Sequence, residues 1–374
     1  MDRIFHTPEG VRDICKQECR QKLTLQKKIR RVFHSYGYED IETPTFEYFE
    51  VFSKEVGTIP SKDLYKFFDR EGHTLVLRPD FTPSIARAAA TYFLPEQEDV
   101  RLCYTGNTFI NNSSFQGRLK ESTQMGVERI GDASVDVDAE LLAMMTECLL
   151  AAGLTEFQIS VGQVQFFKAL LEEAGMDEET CENLRSLISS KNNFGVEELI
   201  LGLNLKPELE QAFLQLPELF GTAEVLQHAR NLTDNPKALA AIGRLEEIYQ
   251  VLCCYGYEKY ISFDLGMLSK YNYYTGIICQ AFTYGTGEPV VKGGRYDTLL
   301  EHFGKPACAV GFAISMDPLM LALTRQKLLP GEECETEELT YTRENRAEVI
   351  RKAVEFRKAG RRVILKCLDK RRMP

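Results

Sequence analysis

Two stretches constrain this chain most. Val100–Phe109 and Leu119–Ile130 read as strands around a polar loop. Before them, Tyr65–Asp69 and Leu75–Arg78 flank a Gly-containing turn, Arg70-Glu71-Gly72-His73, as in a hairpin. After them, Phe157–Val161 alternates cleanly as a strand. Helices are laid beside these strands. Gln17–Tyr36 is a basic amphipathic stretch with Leu23, Leu25, Ile29, Val32 and Phe33 as its apolar positions, and Gly37 stops it. Tyr38–Pro44 reads as a strand entering a proline, which suits an edge or interface position. Pro83–Tyr92 reads as a helix, as does Asp136–Ala152 with Leu141, Leu142, Met145, Leu149 and Leu150 on its apolar face. Strands in runs with helices beside them predict an α+β fold with an antiparallel sheet flanked by helices.

A length of 374 residues predicts two or three domains at roughly 100–200 residues each. Residues 175–256 are helix-rich, lack strand alternation, and are broken at Pro207, Pro217 and Pro236. They read as a helical domain inserted into a core of residues 1–174 and 257–329. Strands resume at Tyr260–Leu265, Ile277–Tyr284 and Val290–Val291, and Met316–Arg325 is the last helix of the core. Residues 330–374 form an acidic linker and a small C-terminal β-α-β unit: strands at Leu339–Thr342 and Val363–Leu368 around a helix at Glu344–Ala359. Such a unit is too small to be stable unaided.

The net charge of −10 argues against the whole chain acting as a general nucleic-acid binder, because neutralising phosphates needs a basic face. The basic segment Arg343–Pro374 reads as a solvated helix face plus a charged end, with contact to an acidic partner or RNA as the alternative. Eleven cysteines are scattered without a C-x-x-C pair, and no histidines stand at ligand spacing. Cys15 and Cys19 lie one helical turn apart but have no histidine partners. This pattern predicts reduced thiols in a cytoplasmic protein and no metal centre. No run reaches transmembrane length, and Met1–Gly10 has no apolar signal core, so no membrane partner is expected.

Three motifs, in order, resemble the signatures of class II aminoacyl-tRNA synthetases. The first is the helix, Gly37, strand and Pro44. The second is Leu77–Thr82 followed by Gly117–Glu128, and the third is Val310–Leu319. Two more stretches, Asn272-Tyr273-Tyr274-Thr275-Gly276 and Lys292-Gly293-Gly294-Arg295-Tyr296-Asp297, are similar to those of histidyl-tRNA synthetase in particular, and Thr7–Asp13 fits that family's start. Any one motif is weak, but this series in the right order is specific. By resemblance, the first motif builds a dimer interface. The histidine pocket maps to Asp80, Thr82, Gln124, Glu128, Tyr274 and Tyr296, with Asp80 one methylene shorter than the family's Glu. A carboxylate pairs with the ligand's ammonium, and tyrosine hydroxyls bond its ring.

The arginines that serve ATP in that family are missing. Their positions fall on Ile110, Ser269 (with Lys270 beside it) and Pro318, and the Glu of the second motif falls on Asn112. Adenylation needs cations at the α-phosphate and at the developing charge. Losing a buried charge partner costs about 2–5 kcal/mol, and each ~1.36 kcal/mol is tenfold in rate. Several such losses predict adenylation lowered by orders of magnitude. Arg78, Arg118 and Arg295 remain, either to hold loop carboxylates or to bind an anion. An anticodon-binding domain also follows the core in histidyl-tRNA synthetases, where only the β-α-β unit stands here.

Lost arginines and a shortened C-terminus resemble the regulatory subunits of ATP phosphoribosyltransferase, the first enzyme of histidine biosynthesis. That resemblance implies a chain with no cofactor and no catalysis of its own. It would partner a short-form catalytic subunit, self-associate as a synthetase-like dimer within a hetero-oligomer, and take histidine as allosteric ligand. The alternatives are a divergent, active histidyl-tRNA synthetase and a tRNA-sensing module.

Overall fold

The computed structural model describes residues 3–53, 59–94, 98–112, 118–268, 273–329 and 336–368. In chain order, the first part contains α1 (Lys16–Ser35), β1 (Glu39–Asp40), β2 (Phe46–Tyr48), β3 (Lys66–Phe68), β4 (Thr74–Leu77), α2 (Thr82–Ala88), β5 (Val100–Phe109), β6 (Glu121–Ile130), α3 (Val135–Ala152), β7 (Phe157–Gln163) and α4 (Val164–Ala174). The helix-rich part holds α5 (Glu178–Ser189), α6 (Asn193–Leu201), α7 (Pro207–Gln215), β8 (Phe220–Gly221), α8 (Glu224–Arg230) and α9 (Pro236–Tyr255). Then come β9 (Ile261–Asp264), β10 (Ile277–Thr283), β11 (Val291–Arg295), β12 (Ala309–Ser315), α10 (Met316–Arg325), β13 (Thr336–Tyr341), α11 (Arg346–Lys358) and β14 (Arg362–Cys367).

A nine-stranded sheet in the order β1-β5-β6-β12-β11-β10-β7-β9-β8 forms the body. It is antiparallel through its centre, as expected, but β1 pairs parallel with β5 and β7 pairs parallel with β9. The sheet is therefore mixed within the α+β class. β2, β4 and β3 make a separate three-stranded antiparallel sheet. The strand expected over Tyr38–Pro44 shrinks to β1 at the sheet's edge, where Asp40 lies opposite Cys103. Asp40 there accepts from Arg30, His34 and the Cys103 thiol. Burial and the Asp40 charge push that thiol up to about 12.

Helix α1 buries Leu25, Ile29 and Phe33, one residue per turn along a single stripe. Leu23 lies on the opposite side and is exposed, contrary to the amphipathic reading. Phe33 reaches the sheet at Phe312, edge to face with centroids 6.0 Å apart. Helix α3 is buried almost all round, because α1 packs on one side of it and α9 on the other. A single apolar face was therefore too narrow a description of this helix.

The helical segment does not have a core of its own. Leu245, Ile248 and Leu252 of α9 belong to the same apolar cluster as Leu142, Met145 and Leu149 of α3. The segment also adds β8 to the sheet beside β9, a strand the sequence did not announce. Its prolines start structure as well as break it. Pro236 opens α9 behind Asn235, whose side chain accepts from the Lys237 and Ala238 amides. Beyond residue 335, β13 and β14 pair parallel with α11 beside them, and of α11 only Ala353 is buried.

Asp138 on α3 ties these parts together. It is fully buried, and its carboxylate accepts from Arg295 at the end of the core strand β11 at 2.7 Å and from Arg244 on α9 at 2.6 Å. Removing a buried charge from such a group leaves its partners uncompensated, at about 3–5 kcal/mol. Asp138→Asn is therefore expected to lower unfolding free energy by about 3 kcal/mol, measured by urea titration. A loss within experimental error would show that the arginines re-pair elsewhere.

Candidate functional site

Gln124, Gly126 and Glu128 share one face of β6, by the two-residue period of a strand. β6 runs between β5 and β12, which bring Tyr104 opposite Gly126 and Gly311 opposite Glu128. Gly311 is required by close approach: a Cβ there would stand 1.8 Å from Glu128 Oε2. A Cβ on Gly126 would meet the Tyr104 hydroxyl at 2.4 Å. The two glycines open room inside the sheet for a carboxylate and a phenol.

Glu128 is only 2 % exposed. Its Oε1 accepts from Thr82 Oγ1 at 2.7 Å, and its Oε2 accepts from the Tyr296 hydroxyl. Thr82 comes from the first residue of α2 and Tyr296 from the residue after β11. Burial, reinforced by the charge of Asp80, pushes Glu128 up to about 8, although the two hydroxyl donors pull the other way. Asp80 is half-buried, with Oδ1 accepting from the Phe81 amide at 2.7 Å. Its charge is felt by Tyr104, Tyr273 and Tyr274 as well.

Aromatic rings make the walls. Tyr273 stacks on Tyr296 with centroids 5.4 Å apart and meets Tyr274 edge-on at 5.0 Å. Tyr274 lies against Gly294, where a Cβ would come within 2.7 Å of its ring. Phe81 stacks on Tyr104 at 4.3 Å, and the Arg78 guanidinium sits over the other side of Phe81 at 4.1 Å. Burial raises all four tyrosine hydroxyls far above their ordinary range. They act as neutral phenols. The Tyr104 hydroxyl and the Gln124 amide oxygen are buried with no hydrogen-bond partner among the described residues.

Thr82, Glu128 and Tyr296 are thus in direct contact, with Gln124 on the same strand face. The Asp80 charge acts on Glu128, and both carboxyls act on the Tyr274 hydroxyl. Tyr104 and Tyr273 were missed as pocket walls. Tyr273 belongs to the Asn272–Gly276 motif, and Tyr104 carries no signal until β5 is registered against β6.

The three arginines are placed differently from one another. Arg295 holds Asp138 and Asp297. Arg78 donates to the carbonyls of Asn107 and Thr43 at 2.8 Å each. Arg118 is exposed, 3.9 Å from Glu288. Ile110 follows β5, its amide donating to the Lys120 carbonyl. Asn112 reaches back to the Leu119 carbonyl. Pro318 occupies the first turn of α10, where its missing N–H costs nothing. Ser269, Lys270 and the residues from 113 to 117 lie outside the described residues. The His34, Asp40 and Cys103 side chains also converge, away from this site and around the Arg30 ion pair.

Glu128 gives the site a pH signature. Its folded pKa is raised from about 4.5 to about 8. Its favourable contribution is therefore fully present below the unfolded value and lost as pH rises through the folded one. Glu128→Gln cannot ionise and is expected to flatten the decline of Tm between roughly pH 5 and 9. A variant with the wild-type slope in a thermal-melt series would assign that decline to another group.

The histidyl-tRNA synthetase family model matches residues 10–319. A protein of Acetivibrio thermocellus named ATP phosphoribosyltransferase regulatory subunit is 44% identical over 324 residues, 87% of this chain and 78% of the relative. One of Clostridium kluyveri with the same name is 37% identical over 359 residues, 95% of this chain and 91% of the relative. Among solved structures, one from Bacillus halodurans described as an ATP phosphoribosyltransferase regulatory subunit/histidyl-tRNA synthetase superposes with a TM-score of 0.89 at 34% identity, over 99% of this chain and 94% of that one. The histidyl-tRNA synthetase of Nostoc superposes with a TM-score of 0.82 at 23% identity, over 99% of this chain and 87% of that one, a likeness of fold.

Proposed function

The chain belongs to the histidyl-tRNA synthetase-like family of ATP phosphoribosyltransferase regulatory subunits, and from that premise we propose that it regulates without catalysing. It joins a short-form catalytic subunit in a cytoplasmic hetero-oligomer built on a synthetase-like C₂ dimer. It is required for that subunit's activity and makes it subject to inhibition by histidine.

The observation that carries this reading is the chemistry of the site. Two carboxylates, tyrosine rings and unpartnered acceptors suit a cationic, aromatic amino acid. Ile110 and Pro318, at the positions of the histidyl-tRNA synthetase family's arginines, offer no cation to an ATP phosphate. The residues for holding histidine are kept, while Ile110 and Pro318 stand where that family has arginines for activating it. Histidine's ammonium pairs with the carboxylates of Asp80 and Glu128. Its ring lies among Tyr274 and Tyr296, with Thr82 and Gln124 completing the hydrogen bonds. A ligand held this way controls activity only by binding one state of the assembly better than another.

The test is formation of phosphoribosyl-ATP by the cognate short catalytic subunit, with and without this chain, across a histidine titration. This chain is expected to raise the activity and to confer inhibition. Neither effect, with the two proteins eluting apart on gel filtration, would overturn the proposal. Within an active complex, Tyr274→Ala removes one wall of the pocket. It is expected to raise the histidine concentration for half-inhibition about tenfold, equivalent to about 1.4 kcal/mol of binding. An unchanged half-inhibition concentration would put the sensor on another surface.

A further inference from the structure

Three side chains of different ligand chemistry converge where α1 gives way to β1. His34 lies in the last turn of α1, Asp40 ends β1, and Cys103 stands on β5. Each offers one donor atom, and the three atoms lie within 4.8 Å of one another. Among the described residues, no other three His, Cys, Asp or Glu side chains form such a cluster.

The backbone sets this arrangement. β1 and β5 pair parallel with Asp40 directly opposite Cys103, so both side chains leave the sheet on the same face. The Ile41 amide donates to the Cys103 carbonyl at 2.8 Å and holds that register. Gly37, at a φ of +78°, ends α1 and turns the chain into β1, with His34 and Asp40 on either side of the turn. His34 Nε2 stands 2.9 Å from one carboxylate oxygen of Asp40, and Cys103 Sγ 3.4 Å from the other. Zinc bound to N, O and S donors at about 2.0–2.3 Å and tetrahedral angles spaces those donors roughly 3.3–3.6 Å apart. Small side-chain rotations bring the three groups to that spacing.

We propose that His34, Asp40 and Cys103 form a binding site for a divalent cation of the zinc class. One imidazole, one carboxylate and one thiolate are a donor set that suits zinc and not magnesium or calcium, which take oxygen ligands. On coordination the Cys103 S–H bond breaks, its proton leaves to solvent and the sulfur binds the metal. No electrons are exchanged. The His34 and Asp40 side chains are 47% and 41% exposed, so the fourth position opens to solvent and takes water. Structural zinc sites close with four protein ligands. This one has three, and β1 and β5 are already joined by backbone pairing, so the cation exchanges without unfolding the chain. Arg30 is its competitor, with Nε 2.8 Å from Asp40. That ion pair is half-exposed and contributes little to stability, so the guanidinium swings into solvent as the cation arrives. The expectation of no metal centre came from ligand spacing along the chain. It does not reach a site whose Asp40 and Cys103 are 63 positions apart.

Titration of the full chain with cobalt(II), under a reductant that carries no thiol, tests this. One cobalt per chain is expected to give a sulfur-to-metal charge-transfer band and the visible bands of a four-coordinate ion, both removed by zinc. Cys103→Ser is expected to abolish the charge-transfer band. His34→Ala and Asp40→Asn are each expected to weaken cobalt binding by at least about tenfold, the loss that removal of an outer partner alone can bring. Cys253 and Cys254 are exposed neighbouring thiols and a rival source of the band. The double variant Cys253→Ser/Cys254→Ser is therefore expected to keep it. No charge-transfer band in the wild type, its persistence in Cys103→Ser, or its loss in the double variant would each overturn the site. If Cys103→Ser does not fold, wild-type cobalt affinity in both His34→Ala and Asp40→Asn would overturn it instead.

Discussion

The contact between Arg295 and Asp138 is the constraint on which the rest of this structure depends. Asp138 is sealed inside the core on α3, so its charge is tolerable only because two guanidiniums meet it. One of them comes from the helical segment and the other from the end of a central strand. Arg295 also meets Asp297, which accepts from the Ala309 amide and from the Thr275 hydroxyl. The Thr275 amide in turn donates to the Arg295 carbonyl. One buried ion cluster thereby sets the course of two neighbouring chain segments, those that carry Tyr273, Tyr274 and Tyr296. The site's aromatic wall is held in place from behind.

The pocket in front of that cluster shows what a sheet can bury when glycines are placed in it. Glu128 stands inside the β-sheet face because Gly311 has no side chain to exclude it, and Tyr104 fits because Gly126 has none. The polar load is then met by hydroxyls, not cations. That choice leaves a carboxyl that prefers its proton.

Much of this was legible in the sequence for definite reasons. β5 and α10 end where their patterns end, because strand alternation and helix punctuation are local properties of the chain. Thr82, Glu128 and Tyr296, which meet in space, stand in motifs that preserve residue type at fixed spacing. The parallel pairing at β1–β5 and β7–β9 was not legible, since strand neighbours are chosen by the whole sheet and leave no local mark. Leu23 misled for a related reason: an apolar residue in an amphipathic stretch does not reveal which side of the helix will be covered.

By itself the sequence determined the α+β class, the position of most elements, the residue types of the pocket and the absence of arginine at Ile110 and Pro318. These are set by spacing, composition and identity, which the linear chain contains in full. Only the tertiary structure decided that α9 shares the core of α3, that Arg295 serves Asp138, that Tyr104 and Tyr273 wall the pocket, and that Glu128 is sealed away from water. Each of those depends on contacts between residues far apart in the chain. Burial, and with it the proton affinity of a carboxyl, exists only once those residues have met.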